Sequence, residues 1–366
     1  MDPIQSPAPA PAPPAPAPLF REKAPAEPGD RARVSLGQIP REELLRARIK
    51  DLQLHLAGTR LEKMIQQLYS ELEAKGLSFR PECYLSDQWG CPSGVPVIGV
   101  PFYLADPRLT SIEAELGGWA EDEQEILRYL RHEAGHAFNY AYRLYDTEEW
   151  RKLFGDYQKP YKEEYKPKPF SRKYVKHISG WYAQKHPDED FAETFAVWLT
   201  PDSNWAKKYA GWPALKKLGY VEQAAQRLGR QKADVSLAEP DLDVSEMEET
   251  VLDHYRQREL EEQIDLQLQE HFDQDLSELF EAPGAGAAKA ETLVRSERAS
   301  LISAVSHYSG VSRSVVRALV DHLASRTSAL GLTVQIDKTR EYVARLSTLV
   351  TALAMNFLYT DKFFDE

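Results

Sequence analysis

His132, Glu133 and His136 stand in the string Arg131-His132-Glu133-Ala134-Gly135-His136. On a helix, residues four apart lie one turn above each other on a single face, so the two imidazoles can offer nitrogens to one metal ion. Glu133, next to the first histidine, is turned away from direct ligation but can reach a water on that metal, where a general base is needed. The chemistry open to such a trio is metal-assisted hydrolysis, and zinc suits it. In a chain with nine histidines the string is expected by chance on the order of 0.02 times, so a third ligand must be found before it carries weight.

A place for that ligand exists downstream. His186-Pro187-Asp188-Glu189-Asp190-Phe191-Ala192-Glu193-Thr194-Phe195-Ala196-Val197-Trp198-Leu199 reads as the start of a helix, with Pro187 at its first position and acids 188 to 190 at its positive end. Glu189 and Glu193 share a face with Ala192 and Ala196, whose small side chains let this helix lie close to another. Phe191, Phe195, Trp198 and Leu199 supply bulk for a core. Two histidines and one glutamate would leave a coordination position for water. Spacing does not choose between Glu189 and Glu193. Alone, this stretch is an acidic helix start followed by a solvated glutamate; the upstream histidines give it a second meaning. The metzincin pattern would require glycine at 139 and histidine at 142, and the chain has Asn139 and Tyr142, which excludes that class.

These side chains need rigid elements beneath them. Across 121–145, Ile126, Leu127, Leu130, Ala134, Ala137, Phe138 and Ala141 recur at threes and fours without a proline, which predicts one helix carrying the motif. Residues 41–75 hold two helical patterns; the second buries Leu61, Met64, Ile65, Leu68, Tyr69 and Leu72 and has Gly76 as its C-cap. Residues 79–85 and 95–104 have strand composition. Pro96 and Pro101 predict that the latter is an edge strand with one side open, which protects it from aggregation and could also accept an extended peptide as an added strand. Residues 202–229 add helical stretches bearing Trp205, Tyr209, Trp212, Leu215, Leu218, Tyr220 and Leu228.

The whole chain, 366 residues with 42% hydrophobic and 28% charged, can form one large core or two medium ones. It has no apolar run of about eighteen residues and no basic, leucine-rich leader, so a cytoplasmic protein with no membrane partner is expected. Cys83 and Cys91 are expected to be free thiols. Residues 1–38, rich in proline and alanine, predict an extended, disordered tail. Segment 151–185 holds ten Lys/Arg against three acids, interleaved with aromatics including Tyr157, Tyr161 and Trp181. Such composition can bind single-stranded nucleic acid. In an acidic chain of net charge −12, between two parts of a metal site, it reads instead as a substrate-facing or structural loop, with no nucleic-acid partner.

From 234 to 281, seventeen Asp/Glu face only Arg256 and Arg258. Met247, Val251 and Tyr255, then Leu260, Ile264, Leu268 and Phe272, recur mostly at four, which predicts an exposed acidic helical segment. It is a candidate to contact a partner, or to dock on 151–185 and restrict the cleft. Residues 284–288 read as a short linker. Residues 291–308, 312–330 and 338–358 predict three helices, a small bundle or partner-binding appendage without visible chemistry.

Tyr182, followed seven residues later by Glu189 and then by Phe191-Ala192-Glu193, is, with the H-E-x-G-H string, similar to the catalytic domain of anthrax lethal factor and other gluzincin-type peptidases. The string over 180–193 resembles more closely a bacterial family, the putative zinc-binding metallopeptidases. The likeness spans about 47–230, is specific at 131–140 and 180–199, and brings no receptor-binding or translocation region, so no toxin role is implied.

The resemblance implies an α+β fold. The resemblance places a zincin-like domain over 39–232, with a small mixed sheet, an open edge strand and active-site helices, while the residue patterns beyond it give the acidic segment over 233–283 and a mostly helical C-terminal region over 284–366. It further implies Glu189 as third ligand of one zinc ion, Glu193 as the carboxylate orienting a histidine, and Tyr182 as donor to the developing oxyanion. With Glu133 as general base, the implied activity is that of a zinc-dependent endopeptidase acting on a peptide or protein. The alternative is a non-catalytic zinc-bearing scaffold that binds a partner through its acidic and C-terminal helices.

Overall fold

The computed structural model describes residues 36–117, 119–161, 165–233, 242–261 and 271–363, with backbone only at 257–261. Of the tail expected over 1–38, residues 1–35 lie outside the described residues, whereas Leu36–Gln38 form a short 3-10 turn; the acidic stretches 234–241 and 262–270, with Ile264 and Leu268, also lie outside them.

Helix α1, Arg60–Ala74, starts where Thr59 Oγ1 accepts from the Leu61 N–H at 3.2 Å. It ends at Gly76, whose φ of +80° lets the Leu77 N–H return to the Leu72 carbonyl at 3.0 Å. Strands β1, Glu82–Ser86, and β2, Val97–Pro101, pair in parallel with Tyr84 opposite Gly99. Pro101 closes β2, where its missing N–H interrupts no ladder. The expected open edge needs correction. Gly99 N–H donates to the Gly90 carbonyl at 2.7 Å and Gly90 N–H to the Gly99 carbonyl at 3.3 Å, so antiparallel chain around Gly90 stands outside β2.

The motif helix α2, Glu123–Ala141, is capped by Asp122, whose Oδ1 accepts the Glu125 N–H at 2.9 Å. From His132 onward every residue of α2 is buried. Helix α3, Pro187–Leu199, is buried along its whole length. The two cross at Gly135, where a Cβ would lie 2.8 Å from Ala192 Cα and 3.0 Å from Phe195 Cβ. Phe138 stacks on Phe195 next to this crossing, with ring centroids 5.2 Å apart. Helix α4, Ala214–Leu228, packs against α3, and its Lys217 Nζ lies 2.5 Å from Asp190 Oδ2 inside the interface. Arg131, beside the first motif histidine, forms a two-pronged pair with Glu71 of α1 at 2.7 Å each.

One hydrophobic cluster runs from Leu44 to Tyr255 and a second from Phe272 to Phe363. In the second, the stretch expected to be a linker enters a small sheet. Strand β3, Ala288–Lys289, pairs antiparallel with β4, Thr333–Val334, and the Ala287 N–H donates to the Val334 carbonyl at 2.9 Å. The first of the three expected C-terminal helices is broken at Glu297 into α5, Ala290–Ser296, and α6, Arg298–Ser309; the others are α7, Arg313–Ala329, and α8, Thr339–Thr360. The secondary structure is therefore mixed α+β with small sheets.

The C-terminal helices touch the site-bearing part of the chain. Arg313 lies over the Trp119 ring at 4.1 Å, and Arg317 Nη1 donates to the Gly117 carbonyl at 2.5 Å. Lys166 of the basic segment pairs with Asp361 at 2.8 Å. Described carboxylates of the acidic segment have partners elsewhere: Glu248 meets Lys50 at 2.5 Å and Arg48 at 3.3 Å, and Asp273 meets Arg326 at 2.6 Å. Cys83 and Cys91 are unbridged. Among the described residues no helix is long and apolar enough to cross a membrane.

Candidate metal centre

Helix geometry puts His132 and His136 on one face of α2, and the crossing at Gly135 brings the first turn of α3 against that face. His132 Nε2 and His136 Nε2 lie 3.1 Å apart, and Glu189 Oε2 lies 2.9 Å and 3.3 Å from them. These three residues offer ligand atoms that all fall within 4.8 Å of one another. Glu193 is placed differently. Its Oε1 lies 3.0 Å from His132 Nδ1, and it also accepts the backbone N–H groups of His177 and Ile178 at 3.0 Å. The structure thus separates the two glutamates that spacing leaves equivalent: Glu189 faces the Nε2 atoms, Glu193 the opposite side of one ring.

Asp188 does for His136 what Glu193 does for His132, with Oδ2 3.0 Å from Nδ1. A carboxylate only accepts, so both Nδ1 atoms carry a proton, and the two Nε2 atoms are the ring nitrogens left to face one point with Glu189 Oε2. Asp188 is held in turn by Asn139 Nδ2 at 2.8 Å and the Tyr140 hydroxyl at 2.5 Å. The motif reading passed over Asp188, Asn139 and Tyr140. Asn139 and Tyr140 had a signal, since they lie three and four residues after His136 and so share its face.

The electrostatics favour a cation. Burial opposes charge on His132, but hydrogen bonds to Glu189 and Glu193 outweigh it and push its pKa up to about 9. His136 is also raised, burial being outweighed by Asp188 and Glu189. Burial would raise Glu189, but His136 and His132 hold it well below the usual carboxylate range. Burial lifts the carboxyl of Glu133, against the pull of the two histidines. Four carboxylates around two imidazoles carry more negative charge than a buried pocket tolerates without a partner cation. Two imidazole nitrogens and one carboxylate oxygen are a donor set that suits zinc.

The group opens into a cavity of about 460 Å³, lined by Glu133, Tyr182, Tyr161, His186 and the 89–93 stretch through Trp89, Gly90, Cys91 and Ser93. Trp89 fixes that stretch by stacking on Tyr129 of α2 with centroids 5.5 Å apart and by donating, just ahead of that helix, to Glu121 Oε1 at 3.0 Å. Tyr182 follows Trp181, a residue at φ +58°, and its ring centroid stands 5.6 Å from that of His132. Burial pushes its pKa up, which keeps the hydroxyl a donor. His186 caps α3, its Nδ1 accepting the Asp188 N–H at 3.1 Å while Nε2 donates to the Lys159 carbonyl at 2.8 Å. Tyr161, noticed in the sequence only as one aromatic among several, donates its hydroxyl to Glu189 Oε1.

Residues 112–228 match the family described as Putative zinc-binding metallo-peptidase. The matched stretch contains α2, α3 and the whole His132, His136, Glu189 group. No curated protein and no solved structure matches the chain. The family match and the His/His/Glu group together support a zinc-binding peptidase.

Proposed function

We propose that the protein is a zinc-dependent endopeptidase with a zincin-like catalytic domain over 39–232, holding one zinc ion on His132, His136 and Glu189. The observation that carries this reading is the convergence of two Nε2 atoms and one carboxylate oxygen on a single point, each histidine held from behind by its own carboxylate. Zinc bound there would supply Lewis acidity and lower the pKa of a bound water to about 7.

The chain's own residues account for the rest. Glu133, buried beside the histidines, takes the proton of the attacking water and returns it to the leaving amine. Tyr182 donates to the carbonyl oxygen as negative charge develops on it. The 89–93 stretch offers backbone to an extended peptide, in the role the sequence reading gave to β2. The substrate is therefore a peptide or protein, and nucleic acid and membrane are outside this function.

The deciding experiment is hydrolysis of a peptide library by zinc-loaded wild type and by Glu133→Gln. Cleavage by wild type alone is the expected result, and it also distinguishes the enzyme from the zinc-bearing scaffold. No cleavage by a wild type that holds stoichiometric zinc would reject the peptidase. Contact between the acidic segment and 151–185 remains part of the proposal through carboxylates outside the described residues, Asp234, Glu239, Asp241, Glu262, Asp265 and Glu270. Neutralising these six in the full chain is expected to raise kcat/KM on a small generic peptide, and an unchanged value rejects the contact.

A further inference from the structure

Glu189 uses its two oxygens differently. Oε2 faces both histidine Nε2 atoms, at 2.9 Å and 3.3 Å, whereas Oε1 accepts the hydroxyl proton of Tyr161. That proton being committed, Tyr161 must be the acceptor in its 3.3 Å contact with the Tyr182 hydroxyl. The outcome is a directed chain from Tyr182 to Tyr161 to Glu189. Tyr161 is 46% exposed, so its place is not explained by core packing. Its ring is nonetheless held from two sides. The His186 ring lies against it with centroids 5.3 Å apart, and the Lys185 ammonium sits 4.6 Å from its centroid.

We propose that Tyr161 is a positioning residue for the metal centre, an inference that rests on the zinc reading of the site. By occupying Oε1 it leaves Oε2 alone to face His132 and His136, so that Glu189 presents one oxygen to the ion instead of two. By accepting from Tyr182 it also keeps that hydroxyl at the cavity wall until a substrate oxygen replaces it. His186, which also caps α3, and Lys185 fix the ring in this role.

Tyr161→Phe keeps the ring and removes the hydroxyl. Two measurements test it: zinc affinity by competition with a chelator, and the visible absorption of the cobalt-substituted protein, whose bands report ligand number. The expected variant still binds one metal, with a Kd raised about tenfold and cobalt bands shifted toward higher coordination as the freed Oε1 joins. Tyr182→Phe should lower turnover while leaving the cobalt bands as in wild type. A Tyr161→Phe protein matching wild type in zinc Kd and cobalt spectrum overturns the inference and leaves the zinc reading standing. A wild type that takes up neither metal stoichiometrically overturns both.

Discussion

Gly135 lies against the backbone of Ala192, so close that a Cβ on it would stand 2.8 Å from Ala192 Cα and 3.0 Å from the Ala192 carbonyl oxygen. The helix bearing the histidines and the helix bearing Glu189 therefore meet main chain to main chain, and the site depends on that approach. Alanine in place of a helical glycine ordinarily gains about 1 kcal/mol. At Gly135 the added methyl meets atoms that cannot turn away, and overpacking of this kind costs about 1–3 kcal/mol. Gly135→Ala is therefore expected to lower stability and weaken zinc binding together. Gly219, inside α4 with nothing within 4 Å of a built Cβ, is the control, and Gly219→Ala should stabilise by about 0.5–1 kcal/mol. Urea unfolding of both variants checks this pair of opposite signs; stabilisation by both would show that the helices part without cost.

The two glutamates of α3 predict different losses. Glu189→Ala removes the oxygen that faces both Nε2 atoms and should abolish stoichiometric zinc at micromolar concentrations. Glu193→Ala and Asp188→Ala leave all three facing atoms in place but free one imidazole each, and should weaken zinc about 10–100-fold. Chelator competition on the three proteins checks the order. If Glu189→Ala bound zinc like wild type while Glu193→Ala did not, the ligand assignment would be reversed.

Glu133 is expected to matter only when a bond is broken. Glu133→Gln keeps the shape of the side chain and removes its basicity, so zinc content and substrate KM should stay near wild type. Turnover should fall by about 10²–10⁴. Zinc analysis beside steady-state kinetics checks the split, and a loss of metal in this variant would make Glu133 a structural partner of the site.

Local patterns in the sequence carried the site up to a definite point. The i, i+4 spacing of His132 and His136, the proline at the head of α3 and the small residues Gly135 and Ala192 are local signals, and the helices follow them. What they do not encode is which side of an imidazole each carboxylate approaches. That depends on the crossing of α2 and α3, so Glu189 and Glu193 were equivalent by spacing and Asp188 read only as a favourable charge at a helix start. Tyr161 is harder still, because it reaches Glu189 from an irregular loop with no periodicity to place it. The position of Gly90 outside β2 was invisible for a related reason: strand pairing is non-local, and prolines report where a ladder ends without saying what lies beyond it.

The acid that follows Glu189 has a different task, and its removal should be read in stability alone. Asp190 is buried and paired with Lys217 Nζ at 2.5 Å, and Lys217 also donates to the Lys173 carbonyl at 3.0 Å. The pair ties α3 to α4 and to the chain leading into the Tyr182 turn. Lys217→Met fills the same space but leaves the carboxylate without its cation, a change that typically costs about 3–5 kcal/mol. Replacing both, as Asp190→Leu with Lys217→Met, removes the stranded charge along with its partner and should recover most of that loss. Denaturant unfolding of the two single variants and the double variant closes the cycle. If Lys217→Met alone were as stable as wild type, Asp190 would have found another partner or a proton, and the pair would not be what holds α3 on α4.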